Sequence, residues 1–119
     1  MKARIGYICT EKPSCLRTLL GLENGELCFV LCTGRDTAAL TPAAEAGVPV
    51  GVLARESGTP AAWELRAQGI LELDGVDAVV ADGVALSQRF FRKWEGRIAA
   101  LEGDESPEEM LRRINEILC

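Results

Sequence analysis

The sequence predicts an α/β fold: a doubly wound, mostly parallel five-stranded sheet with helices on both faces. Three observations lead there. Apolar runs of strand length alternate with stretches of helical periodicity from one end of the chain to the other. One of those runs, Leu27 to Cys32, has no polar face, as expected of a strand buried on both sides in the middle of a parallel sheet. The chain has 119 residues, which suits one domain with a core of its own. Right-handed crossovers then make the doubly wound, Rossmann-like arrangement the default.

The elements follow in order. Ile5 to Cys9 reads as a first buried strand. Pro13 opens a helix on which Leu16, Leu19, Leu20 and Leu22 recur at helical spacing, and Asn24-Gly25 stops it. Leu27 to Cys32 is the second strand. Thr37 to Ala46 is a short Ala-rich helix ended by Gly47, with Pro49 beyond the stop. Val50 to Leu53 is the third strand. Thr59 caps a helix with Pro60 in its first turn and a body from Ala61 to Leu73. Val76 to Ala81 is the fourth strand, followed by Asp82-Gly83. Ser87 caps a helix through Trp94 that Gly96 ends. Arg97 to Leu101 is a fifth strand. Ser106, with Glu109 three residues on, opens a last helix in capping-box style. Met110, Leu111, Ile114, Ile117 and Leu118 form the apolar stripe of that helix. Residues 1–119 therefore read as a single domain, with 102–119 a C-terminal helical segment.

Composition narrows the function. Hydrophobic residues make up 48% of the chain and charged residues 26%, an ordinary globular balance. The net charge of −5 argues against a nucleic-acid surface, which needs clustered Lys and Arg. The densest basic group, Arg89, Arg92, Lys93 and Arg97, reads as the solvated face of a helix. There is no His, so the commonest general base and the commonest metal ligand are both missing. The five Cys residues, without a CxxC pair, suit neither a disulfide framework nor a zinc knuckle. No apolar stretch reaches membrane length and no leader-like run opens the chain, so the expectation is a reduced, cytoplasmic protein.

In a sheet of this type, ligands sit outside the C-terminal strand ends near the topological switch point. The first of those loops, Thr10 to Ser14, has no glycine to turn N–H groups toward an anion. Its Thr10, Lys12 and Ser14 are nevertheless candidate ligand contacts. In the second loop, Thr33 to Thr37, Asp36 is placed to cap the following helix. Asp82 is the one carboxylate at the end of a central strand. With Gly83 and Val84 it completes the candidate ligand set, although capping of the local loop or helix is the plainer reading of Asp82. Cys28 and Cys32, four apart on a strand, are expected on one face as inert buried thiols. Cys9 and Cys15 flank the first loop, and a helix start beside Cys15 would lower its thiol pKa. Cys119 is terminal and carries no implied role.

Three stretches resemble the folate-dependent formyltransferases, phosphoribosylglycinamide formyltransferase and, more distantly, methionyl-tRNA formyltransferase. Ala43-Ala44-Glu45-Ala46-Gly47-Val48-Pro49-Val50 resembles that family's A-x-x-A-G-I-P-V segment. Asp77-Ala78-Val79-Val80-Ala81 resembles its D-L-V-V-L-A strand. Leu86 to Ile98, with Trp94, Gly96, Arg97 and Ile98 at its end, resembles L-S-P-E-F-V-R-R-W-P-G-R-I. The likeness spans residues 2 to 101 and implies the front half of that fold. It fails where the family does chemistry. Glu11 and Pro13 stand where its first loop has glycines. Its folate-contacting stretch is shorter here, as Asp82 to Ser87. Ala100 and Glu102 stand where its catalytic Asn and His would be, and its catalytic Asp lies beyond the last residue.

Formyl transfer needs an oxyanion stabiliser and a proton relay. The resemblance therefore implies a non-catalytic formyltransferase-like domain that binds a small molecule or a protein, with no catalytic residue, no metal and no cofactor. Folate enters only through the resemblance. Two alternatives stand beside it: a diverged transferase using Asp82 or Glu102 as base with a partner's help, and a thiol-based redox protein. A homodimer through the sheet edge, or through the stripe Met110, Leu111, Ile114, Ile117 and Leu118, is the candidate protein contact.

Overall fold

The computed structural model describes residues 2–10, 13–34, 40–54 and 60–118. Strand β1 (Ala3–Cys9) leads to helix α1 (Leu16–Leu20), then β2 (Gly25–Cys32), α2 (Leu40–Glu45) and β3 (Val50–Val52). The second half runs α3 (Pro60–Leu73), β4 (Ala78–Asp82), α4 (Gln88–Lys93), β5 (Ile98–Leu101) and α5 (Pro107–Leu118). The five strands form one sheet in the order β3-β2-β1-β4-β5, and every neighbouring pair is parallel. The predicted fold class holds.

The sheet is covered on both faces. On one, Leu16 and Leu19 of α1, Ala43 of α2 and Met110 and Ile114 of α5 pack on Ile5, Tyr7, Val30 and Val80. On the other, Trp63, Ala67 and Leu71 of α3 and Phe90 and Trp94 of α4 pack on Ile8, Leu31 and Val79. Burial on both faces is why β1 and β4 read as unbroken apolar runs. The α5 stripe is spent on the first face. Met110 and Ile114 are buried and Ile117 and Leu118 pack against that core, which leaves Leu111 exposed.

Most element boundaries shift by one or two residues from expectation, and three of the shifts have a visible cause. Helix α1 is a short turn from Leu16, because Pro13 serves as acceptor for the Leu16 N–H rather than as a first helical residue. Strand β2 begins at Gly25, which was expected to be a turn; a Cβ there would lie 2.7 Å from Ile5, so the glycine lets the strand pass close to β1. Strand β4 begins at Ala78, because Asp77 is held back by the backbone of Arg4, which donates to its carboxylate at 2.9 Å. The expected caps at Asp36 and Thr59, and Cys119, lie outside the described residues.

Two caps appear as read. Ser87 accepts the Phe90 N–H at the start of α4, and Ser106 accepts the Glu109 N–H at the start of α5. The Trp94-Gly96-Arg97 run has a structural basis. Trp94 is buried, and the Arg97 guanidinium lies 4.9 Å from its ring centroid, a cation–π contact that closes α4 onto β5.

Candidate functional site

The order of the strands reverses its direction of growth between β1 and β4, so the switch point lies at their carboxyl ends. There Asp82, only 1% exposed, turns its side chain toward the β1–α1 loop. Its Oδ2 accepts the hydroxyl of Tyr7, the Ser14 hydroxyl at 2.8 Å and the Cys15 N–H at 3.2 Å. The same Cys15 N–H lies 3.1 Å from the Tyr7 hydroxyl oxygen. The β5–α5 loop closes the group from the other side. A Cβ on Gly103, whose φ is +102°, would stand 3.3 Å from Asp82 Oδ1, and only glycine suits that backbone and that approach. Burial, and then the bond to Asp82, raise the Tyr7 hydroxyl far above its ordinary range, so it is a neutral donor. The plainer reading gave Asp82 a structural part, capping of the loop or of the following helix; its bonds run to the β1–α1 loop. Asp82 ties down the start of α1, 67 residues earlier.

The other candidates divide. Ser14 joins Asp82 directly. Thr10 is half-buried at the end of β1, and Lys12 lies outside the described residues. The Gly83 N–H is taken by the Leu101 carbonyl at 2.8 Å, and Val84 packs against the α3–α4 core. Gly83 and Val84 thus take part in the backbone pairing of the loop and in the second core.

A second carboxylate works beside the first. Glu105 accepts the N–H groups of Glu102 and Gly103 at 2.8 and 2.9 Å and pairs with Arg113 at 3.2 Å. Partial burial pushes its carboxyl up, but the backbone donors and Arg113 together hold it below the usual range. Arg113 also donates to the Ala100 carbonyl. Glu102 and Ala100 are thus anchored by their own backbone, and the Glu102 side chain is exposed.

The thiols differ from expectation. Strand β1 pairs Ile5 with Leu27 and Gly6 with Phe29, so Cys28 is the extra residue of a bulge. One inserted residue reverses the faces that follow. Cys32 joins the α1–α5 core, whereas Cys28 packs toward α3 and α4 and donates to the Ile5 carbonyl at 3.3 Å. Cys32 instead meets Cys9, its register partner, with the sulfurs 3.7 Å apart. The bond to Cys32 and burial push the Cys9 thiol up. Burial, and then the Asp82 charge, push the Cys15 thiol up to about 12, against the lowering expected from a helix start. Both shifts keep these thiols protonated in the closed fold.

An open groove of about 410 Å³ lies between α3 and α4, lined among others by Glu64, Leu65, Gln68, Ser87 and Phe90. Glu64 is buried and accepts both the Ser87 N–H, at 2.7 Å, and the Ser87 hydroxyl. Sequence reasoning gave no site role to Tyr7, Glu64, Glu105 or Gly103. Tyr7 had a visible signal, being the one hydroxyl inside an otherwise apolar strand. Glu64 had a weaker one, a charge between Trp63 and Leu65. Among the described residues there is no cluster of three or more His, Cys, Asp or Glu side chains fit for a metal. No helix among them is long and apolar enough to cross a membrane.

No protein-family model matches the sequence, and no curated protein matches it. Solved structures do match. Phosphoribosylglycinamide formyltransferase from Brucella melitensis superposes with a TM-score of 0.76 at 22% identity, over 84% of this chain and 56% of that one. The Coxiella burnetii phosphoribosylglycinamide formyltransferase, solved in complex with CHES, gives 0.77 at 17% identity, over 84% and 51%. Formyltetrahydrofolate deformylase from Burkholderia mallei gives 0.70 at 18% identity, over 84% and 37%. The chain spans about half the length of the formyltransferases it matches, and what it shares with them is a formyltransferase-like fold.

Proposed function

We propose that this chain is a non-catalytic formyltransferase-like domain that acts by binding a small molecule or a partner protein. One observation carries the reading: the switch point, where a sheet of this type receives its ligand, is occupied by the protein's own Asp82 carboxylate on Tyr7, Ser14 and the Cys15 N–H. Ala100 adds support, since its side chain has no donor for an oxyanion and its carbonyl is taken by Arg113. A ligand then has the α3–α4 groove, where apolar Leu65 and Phe90 stand beside polar Gln68 and Ser87. The reading needs no resident cofactor and places the protein in the cytoplasm. A second copy of the chain is the simplest protein partner.

Formyl transfer from a folate donor by the purified protein tests the reading. No turnover is expected, from the native chain or from Asp82→Asn. Turnover that disappears in Asp82→Asn would overturn it in favour of a diverged transferase. Thermal shift against folates and nucleotides then identifies the ligand, because a molecule that binds only the native state raises Tm.

A further inference from the structure

Cys9 and Cys32 are left without a role by that reading, and their geometry is specific. They are register partners on adjacent parallel strands, they share one core face, and their sulfurs lie 3.7 Å apart. Cys28 is excluded as a partner of Cys9 by the β2 bulge, which turns it to the opposite core. A disulfide needs its sulfurs at about 2.05 Å and its Cα atoms about 4.4 to 6.8 Å apart, a span that neighbouring strands meet.

We propose that Cys9 and Cys32 are a redox pair that a hydroperoxide converts to a cross-strand disulfide. One sulfur attacks the terminal peroxide oxygen, the O–O bond breaks, and an alcohol (water, from hydrogen peroxide) leaves as a sulfenic acid forms. The second sulfur then displaces that hydroxyl, the S–S bond forms and water leaves. Two thiols lose two protons and two electrons in all, and the peroxide takes them up. The disulfide ties β1 to β2 one strand away from Asp82, because Cys9 is also the register partner of Asp82 on β4. Oxidation therefore braces the same strand end that carries the carboxylate cluster. Both thiols are fully buried, so attack requires a local opening. The pair answers to sustained oxidant rather than to a brief pulse. The inference is independent of whether the chain is catalytic.

The test is hydrogen peroxide on the folded full chain, followed by non-reducing digestion and mass spectrometry. Cleavage after Glu11 separates Cys9 from Cys15, and a Cys28→Ser background separates Cys32 from Cys28. The expected product is a linked pair of peptides carrying Cys9 and Cys32, two hydrogens lighter than their sum. It should form faster in urea below the unfolding transition and be unchanged in Cys15→Ser. It should disappear in Cys32→Ser, and oxidised protein should melt at a higher temperature than reduced. Absence of the linked pair after prolonged oxidant overturns the proposal. So does a dominant link to Cys15, or an undiminished link in Cys32→Ser. Should Cys32→Ser fail to fold, the Cys15→Ser and Cys28→Ser chains still decide, because each must yield the Cys9–Cys32 link.

Discussion

Asp82 and Glu64 are both buried carboxylates that accept a serine hydroxyl and the backbone N–H at the start of a helix not their own. They do this in opposite surroundings. Asp82 sits in the sheet, where two strand ends and three loops meet, and it gains the Tyr7 hydroxyl as a third kind of donor. Glu64 sits on a helix, and the space beside it stays open. The same bonding closes a crevice in one place and props one open in the other. What differs is the element that carries the acid. Asp82, at the end of β4, reaches into the β1–α1 loop, whereas Glu64 on α3 lies along the groove wall.

The largest expected effect breaks the closed side. Asp82→Ala leaves the buried Tyr7 hydroxyl without its acceptor and the Cys15 N–H with the Tyr7 oxygen alone, at a cost of about 3 kcal/mol. Urea denaturation should show it as a lower midpoint with an unchanged slope. Tyr7→Phe removes donor and hydroxyl together and should cost about 1 kcal/mol. In the double variant the losses should fall short of additive, because the two groups share one bond. An Asp82→Ala chain as stable as the native protein would mean that the crevice is held by apolar packing alone.

On the open side, Glu64→Ala strips the Ser87 N–H of its acceptor at the head of α4. Water can enter from the groove and replace it, so the cost should be smaller, about 1 to 2 kcal/mol. If Glu64→Ala proves as costly as Asp82→Ala, the contrast between a sealed and an open site fails. The same denaturation series settles both.

How much of this was legible depends on the sequence distance involved. The sheet was readable because its signals are local: the LCFVLC run, the Gly47–Pro49 stop before β3, and the Ser87 and Ser106 caps. Asp82 was legible as a position, since a carboxylate at a central strand end has few uses. Its partners were not, because Ser14, Cys15 and Tyr7 lie 67 to 75 residues away and nothing local marks the meeting. The faces of Cys28 and Cys32 were misread for a related reason. A strand taken alone alternates strictly, and only its pairing with β1 reveals the extra residue. The start of α1 was misplaced because Pro13 is as compatible with a turn as with a first helical position.

The smallest effect concerns the second carboxylate on the closed side. Glu105 stands to the Glu102 and Gly103 N–H groups as a capping residue stands to a helix start, so Glu105→Gln should cost about 1 kcal/mol at neutral pH. The sign of its pH dependence is fixed by the direction of its shift. Its carboxyl is held below the usual range in the folded chain, so its contribution is complete above the ordinary glutamate value, about 4.3. It is lost as the pH falls through the lower folded value. The gap between native protein and Glu105→Gln should thus narrow on acidification from pH 7 to about pH 3. A gap that stays constant across that range would assign the role of Glu105 to shape rather than charge. The loop that seals the switch point would then be held by Arg113 on the Ala100 carbonyl and by the fit of Gly103 against Asp82.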